Sequence, residues 1–355
     1  MKNKILTAGA ALLLLAYSCK QKDQTSEATL SPEAGTTYKQ GDKVTVKLSN
    51  VADGKADSVV YQLDSVKIET KKDLSAISIA TDTMPLGPRV VTAKVYQGGQ
   101  VQEVSTNFNL LAAKAPEELT YQVEKVFPHD TSSYTEGLLY QDDYLYESDG
   151  GRLSEGEGRS SLRKTDLATG KVVQKADVAP EVFAEGISIV GNKIIQLTYT
   201  EKIGYVYDKN TFKLLNTFTN NVGAEGWGMC FDGKRLYMDD STNRLWFLDK
   251  DTYRATGYVD VYDDKGPINQ INELEYIDGK IYANIYQSDA IVVINPKTGA
   301  VMQRIDLSKL YPQSEREQSP GADVLNGIAW DAAGKRLFIT GKKWPHLYQV
   351  KFTNK

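Results

Sequence analysis

Five times between Tyr134 and Trp330 the chain sets an acid or amide, then a small or acidic residue, at the head of an apolar strand. The five are Glu136-Gly137-Leu138, Glu185-Gly186-Ile187, Glu225-Gly226-Trp227, Asn272-Glu273-Leu274 and Asn326-Gly327-Ile328. Their first residues stand 49, 40, 47 and 54 positions apart. Strand-rich repeats of about 40–50 residues mark a β-propeller, in which equivalent positions of every blade converge on one axis. The five side chains are therefore expected to meet at one end of the channel. Three carboxylates brought together repel one another, and burial raises their pKa further. A carboxyl raised in this way suits proton transfer near neutral pH. Carboxylates and amides around a channel are equally a set of hard oxygen ligands for calcium. The residue types leave both chemistries open, and any single acid could simply accept backbone N–H bonds in a turn.

Aromatic residues recur nearby. Tyr134 and Phe183 each stand two residues before a glutamate that starts a repeat, and Trp227 stands two residues after one. Tyr199, Tyr286 and Trp344 lie in the strand or loop that follows. Each could fill the core between blades. Trp344 is in the loop Gly341-Lys342-Lys343-Trp344-Pro345, a less natural place for core packing, and is expected on a ligand wall. Lys342 closes the second strand of the last repeat and would by itself be a solvated lysine. The two histidines, His129 and His346, are too few for a His-based zinc site. Cys230 lies in an apolar strand and is expected to be buried as a small apolar side chain. There is no Gly-x-Ser-x-Gly elbow, phosphate-cradling loop or dinucleotide fingerprint. The glycine-rich run Gly151–Gly158 has no following helix and reads as a flexible loop with no cofactor.

The elements that must position these groups are short strands with Gly, Asn and Asp turns at matching offsets, such as Asp232-Gly233-Lys234 and Asp278-Gly279-Lys280. The last repeat has three obvious strands, and Tyr121–Phe127, placed before the first repeat, is expected to complete it and close the ring. The fold class is all-β, with a five-bladed propeller over 119–355. Residues 38–113 carry about seven short alternating strands and read as an immunoglobulin-like β-sandwich without a cysteine pair. Residues 20–37 have no apolar periodicity and read as a flexible tether. Residues 1–19 have a basic head and an apolar run of 13 residues, too short to span a bilayer, ending in Leu15-Ala16-Tyr17-Ser18-Cys19. This matches a bacterial lipobox, with Cys19 as the acylated residue. It implies a lipid-anchored protein of the cell envelope, facing the periplasm or the surface. The net charge of −4 gives no basic footprint for nucleic acid.

In ordered stretches over roughly 121–355 the chain resembles the plant-type and bacterial glutaminyl-peptide cyclotransferases. The stretches include Phe127-Pro128-His129-Asp130, Tyr134-Thr135-Glu136-Gly137-Leu138, Phe183-Ala184-Glu185-Gly186, Gly226-Trp227-Gly228, Ile271-Asn272-Glu273-Leu274-Glu275-Tyr276, Asp323-Val324-Leu325-Asn326-Gly327 and Thr340-Gly341-Lys342-Lys343-Trp344-Pro345. The resemblance implies conversion of an N-terminal glutamine of a peptide or protein to pyroglutamate, with release of ammonia and no cofactor or metal. It implies Glu185 as general acid/base, with Asn272 and Lys342 contacting the substrate or polarising its carbonyl. Phe183, Tyr199, Trp227 and Tyr286 match an aromatic wall. Tyr134, Glu136, Glu225, Asn326 and Trp344 complete the expected substrate site, and a monomer is expected. Glu136 stands where the plant enzymes carry glutamine, Tyr134 where they carry phenylalanine, and Tyr199 and Tyr286 where they carry tryptophan. Two other readings use the same ring: a calcium-dependent hydrolase of lactonase type, and an idle propeller that binds extracellular peptides or glycans. A pure binder has no need of Glu185, Asn272 and Lys342 together.

Overall fold

In the computed structural model residues 27–355 are described. The leader, Cys19 and the first part of the expected tether lie outside the described residues. Alternation of buried and exposed positions decides the first unit. In Lys43–Val46 and Ile77–Ala80 every second side chain points inward. Val44, Val46, Ile77 and Ile79 meet Val59, Tyr61, Val91, Ala93, Phe108 and Leu110, from a facing five-stranded sheet, in one core. The tether expectation is corrected here. Thr29–Leu30 pairs antiparallel with Leu48–Ser49, and Thr36–Lys39 runs parallel to Phe108–Leu111. Ala28 and Leu30 are buried in the sandwich core. Two apolar side chains in a polar stretch suffice to dock it, yet are too few to give a period.

The sandwich is fastened to the propeller. The Leu86 N–H donates to the Thr298 carbonyl at 2.8 Å and the Ala112 N–H to that of Asp263 at 3.1 Å. Ala300 from the propeller belongs to the sandwich core, and Tyr262 packs against it.

Five blades follow. The inner strands are Thr135–Gln141, Ala184–Val190, Met229–Phe231, Ile271–Ile277 and Leu325–Asp331. Each touches the next, and the fifth touches the first. The first four blades are antiparallel meanders of four consecutive strands. Asp166, Asp208 and Asp249 close equivalent hairpins, each accepting from the backbone and hydroxyl of a threonine three residues on. The fifth blade takes its outer strand from before the first. Glu117–Pro128 lies antiparallel to His346–Asn354, with Tyr121 opposite Phe352 and Phe127 opposite Leu347. Its first residues, Glu117–Leu119, also run parallel to Gln303–Ile305 of the fourth blade. One strand thus closes the ring and joins two blades into a continuous sheet.

Candidate active site

The repeated motif is a β-bulge. In blades 1, 2, 4 and 5 the pairing of the inner strand slips at Glu136, at Glu185-Gly186, at Asn272-Glu273 and at Asn326-Gly327. A bulge re-aims one side chain out of the alternation, and here it turns each polar residue toward the channel end. The following glycine lets the neighbouring blade's backbone approach. A Cβ on Gly137 would fall 2.7 Å from the Ile187 nitrogen, and one on Gly186 would fall 2.4 Å from the Trp227 carbonyl. In blade 3 that position is held by Gly228, whose Cβ would lie 2.2 Å from the Asn272 carbonyl. The third motif is therefore Trp227-Gly228, two residues later than the sequence pattern suggests. Glu225 is displaced from the pocket lining and stands beside Tyr199, whose phenol pKa rises through burial and then through Glu225.

At this end of the channel is a pocket of about 220 Å³ lined by Tyr134, Glu136, Arg152, Glu157, Phe183, Glu185, Tyr199, Trp227, Asn272, Tyr286 and Lys342. Tyr134, Phe183 and Tyr199 follow edge to face, with centroids 6.2 and 6.0 Å apart. Trp227 and Tyr286 meet at 5.4 Å and 77° on another part of the wall. A Cβ on Gly150 would strike the Phe183 ring at 2.5 Å, so that ring's seat requires glycine beneath it.

The buried end holds three ionisable groups. Lys342 Nζ donates to Glu136 Oε1 at 2.6 Å, and both side chains are buried. The ammonium also lies 4.5 Å from the Tyr134 ring centroid and 5.6 Å from that of Tyr286. Asn326 Nδ2 donates to Glu136 Oε2 at 3.3 Å and to the Thr135 carbonyl at 2.9 Å. Burial pushes Glu136 up to about 7, against the pull of Lys342. Glu185 rises well above the carboxylate range, first through burial and then through the neighbouring Glu136 charge. Burial works against the Lys342 ammonium, but the two glutamates outweigh it and its pKa is raised. Glu136, 2.6 Å from the ammonium, is the partner of the cation, while burial and the Glu136 charge favour the protonated form of Glu185.

A buried polar web behind the pocket gave no sequence signal. The Thr135 hydroxyl donates to Glu147 Oε1 at 2.6 Å, and the Tyr134 N–H donates to Asp149 Oδ1 at 2.6 Å. His129 Nδ1 donates to the Trp344 carbonyl at 2.8 Å, leaving Nε2 to meet Glu147 at 3.2 Å. Burial opposes the charge of Glu147, but His129 and Thr135 overcome it and hold the carboxyl at about 2. Asp149, raised to about 7 by burial, pairs with Arg163 at 2.5 Å. This web ties the backbone that presents Glu136 to the loop that presents Lys342.

Nine of the twelve expected site residues line the pocket: Tyr134, Glu136, Phe183, Glu185, Tyr199, Trp227, Asn272, Tyr286 and Lys342. Glu225, Asn326 and Trp344 do not. Asn326 is fully buried and holds Glu136 from behind. Trp344 is fully buried in the fifth-blade core, 5.0 Å from Tyr311, and its Nε1–H donates to the Asp323 carbonyl at 2.8 Å. The loop folds its ring inward onto Gly341, which is why loop position misleads for this residue. Arg152 and Glu157 line the pocket from the glycine-rich loop, which sequence reasoning left without a role. Among the described residues no group of three or more His, Cys, Asp or Glu is placed to hold a metal ion.

A carboxyl of raised pKa and a buried ion pair in one aromatic pocket are the equipment of an acid–base enzyme. The family model for glutamine cyclotransferase matches residues 92–352. A glutaminyl-peptide cyclotransferase of Arabidopsis thaliana is 38% identical over 240 residues, covering 66% of this chain and 73% of that protein. The crystal structure of Myxococcus xanthus glutaminyl cyclase superposes with a TM-score of 0.60 at 31% identity, over 67% of this chain and 98% of its own. The chain belongs to the glutamine cyclotransferase family and is an enzyme of this type.

Proposed function

We propose that the pocket folds the N-terminal glutamine of a peptide or protein onto itself and releases pyroglutamyl peptide and ammonia, with Glu185 as the acid and base. The observation that carries this is a buried Glu185, its pKa raised by burial and by Glu136, in one pocket with an ammonium that has donors to spare. Lys342 has three N–H bonds, and Glu136 takes one of them at 2.6 Å. The others, with the Asn272 amide, polarise the side-chain carbonyl of the substrate as its oxygen gains charge. The neutral α-amine attacks the amide carbon. As the C–N bond breaks, the Glu185 O–H proton passes to the departing nitrogen. The carboxylate so formed takes the proton shed by the attacking nitrogen, and the enzyme is returned unchanged. Aromatic walls that hold the side chain bent supply orientation, which replaces a loose encounter.

The calcium-hydrolase reading is less well supported. Lys342 Nζ, 2.6 Å from Glu136, already brings to the carboxylate ring the positive charge that a divalent ion would otherwise supply. The test is ammonia release from a Gln-Ala peptide by enzyme dialysed against EDTA. Full retention is expected, and loss that calcium restores would favour the hydrolase.

Two charged states bound the pH profile. The substrate amine, with an ordinary pKa near 7.7–8.0, must be neutral, and Glu185 must be protonated. Glu136 keeps Glu185 protonated by repulsion and by engaging Lys342. Glu136→Gln removes the repulsion and leaves the whole ammonium field on Glu185, so the alkaline limb of kcat should move to lower pH. An unmoved limb would separate Glu136 from the proton transfer.

Membrane attachment through Cys19 is proposed from the lipobox alone. Among the described residues no helix is long and apolar enough to cross a membrane. A Cys19→Ser variant is expected to shift from the membrane to the soluble fraction of the producing cell. Retention in the membrane would remove the lipid anchor from the account.

A further inference from the structure

We infer that Glu157, at the mouth of the pocket, makes the enzyme prefer a basic residue immediately after the substrate's N-terminal glutamine. The inference rests on the cyclotransferase reading and adds to it a choice among substrates. The reacting amine and amide must reach Glu185 at the buried end, so the rest of the peptide leaves through the mouth. One residue spans about 3.3–3.6 Å, which places the second side chain beside whatever lines that rim.

The rim charges are unequal in what they have left to offer. Arg152 lies over Phe183 and Tyr199, 5.5 and 5.7 Å from the ring centroids. It donates to Glu201 at 2.8 Å and stands 3.6 Å from Glu155. Its charge is answered twice before a substrate arrives. Lys343 does not line the pocket and lies 5.6 Å from the Tyr134 ring, while Asp323 accepts from the Tyr134 hydroxyl at 3.0 Å. At the buried end Lys342 is paired with Glu136 at 2.6 Å. Glu157 is different. It lines the pocket and is solvent-exposed. Its Oε2 accepts the Arg152 backbone N–H at 3.2 Å, and no lysine or arginine side chain pairs with it among the described residues. The loop backbone thus aims at the exit path a carboxylate that Arg152 attracts only at longer range, without a close ion pair. A lysine or arginine at the second position would meet it, whereas an aspartate or glutamate there would be repelled.

The experiment uses the full chain and three peptide amides alike except at position two: Gln-Lys, Gln-Ala and Gln-Glu. The kcat/KM of wild type for Gln-Lys should exceed that for Gln-Glu by about tenfold at low salt, mostly in KM. The ratio should collapse at about 1 M salt, where the screening length is about 3 Å. In Glu157→Gln it should fall to near one, and Glu157→Asp should restore part of it. A wild-type ratio near one, or a ratio untouched by Glu157→Gln, overturns the inference while Gln-Ala turnover leaves the cyclotransferase reading intact. No turnover of Gln-Ala overturns that reading and the inference with it.

Discussion

Glu185→Gln is expected to lower kcat for an N-terminal glutamine peptide by about 10²–10⁴-fold, the usual worth of a positioned acid–base group. The substitution keeps shape and volume and removes only the transferable proton. Because burial favours the neutral form of Glu185, a neutral isostere should leave the fold intact. Its raised pKa has a further consequence for stability. A carboxyl whose folded pKa lies above its unfolded value contributes fully below the unfolded pKa, near 4.3, and loses that contribution as pH rises through the folded pKa. Glutamine does not titrate. The variant should therefore match wild type below the unfolded pKa and become progressively the more stable of the two as pH rises above it toward the folded pKa, read as Tm against pH. Loss of activity together with lower stability at every pH would mean that Glu185 is a structural residue.

Lys342→Met should have the other large effect, and it should appear in two measurements. Loss of the donor that polarises the substrate carbonyl lowers kcat by about 10²–10³-fold. Loss of the cation leaves Glu136 buried without its partner at 2.6 Å, and breaking such a pair costs about 3–5 kcal/mol when the remaining group is charged. Glu136 already sits near 7 with the ammonium beside it, so without it the carboxyl protonates more readily. The stability loss should be large near pH 8 and small near pH 5.5, about one and a half units on the acid side of that value. Combining Lys342→Met with Glu136→Gln should recover most of the stability and none of the activity. Recovery of activity in the double variant would show that Lys342 serves only to neutralise Glu136.

The ring was legible because repetition makes it so. Turns at matching offsets and an apolar strand after each acid recur often enough to fix the blade count, and the spare strand Tyr121–Phe127 had only one blade to complete. Glu136, Glu185 and Asn272 were legible for the same reason. The residues that misled are those where one local feature imitates another. Glu225-Gly226 copies the motif, but the glycine that abuts the next blade is Gly228, and only packing between blades distinguishes them. Trp344 occupies a loop whose backbone turns its ring into the core. Arg152 and Glu157 come from a loop with no period, so nothing short of the fold could bring them to the pocket. The buried pair of His129 and Glu147 joins residues 18 apart in sequence to a carbonyl 215 positions away, a relation no local pattern encodes.

In cyclisation ammonia leaves because the substrate's own amine replaces it. The direct measurement is to follow, in one reaction on Gln-Ala amide, both ammonia released and free α-amine remaining, with wild type and Glu185→Gln in parallel. The predicted result is one amine lost for each ammonia formed in wild type, and neither change in the variant. Ammonia released with the α-amine left intact would mean hydrolysis of the side-chain amide and would contradict cyclisation at this site.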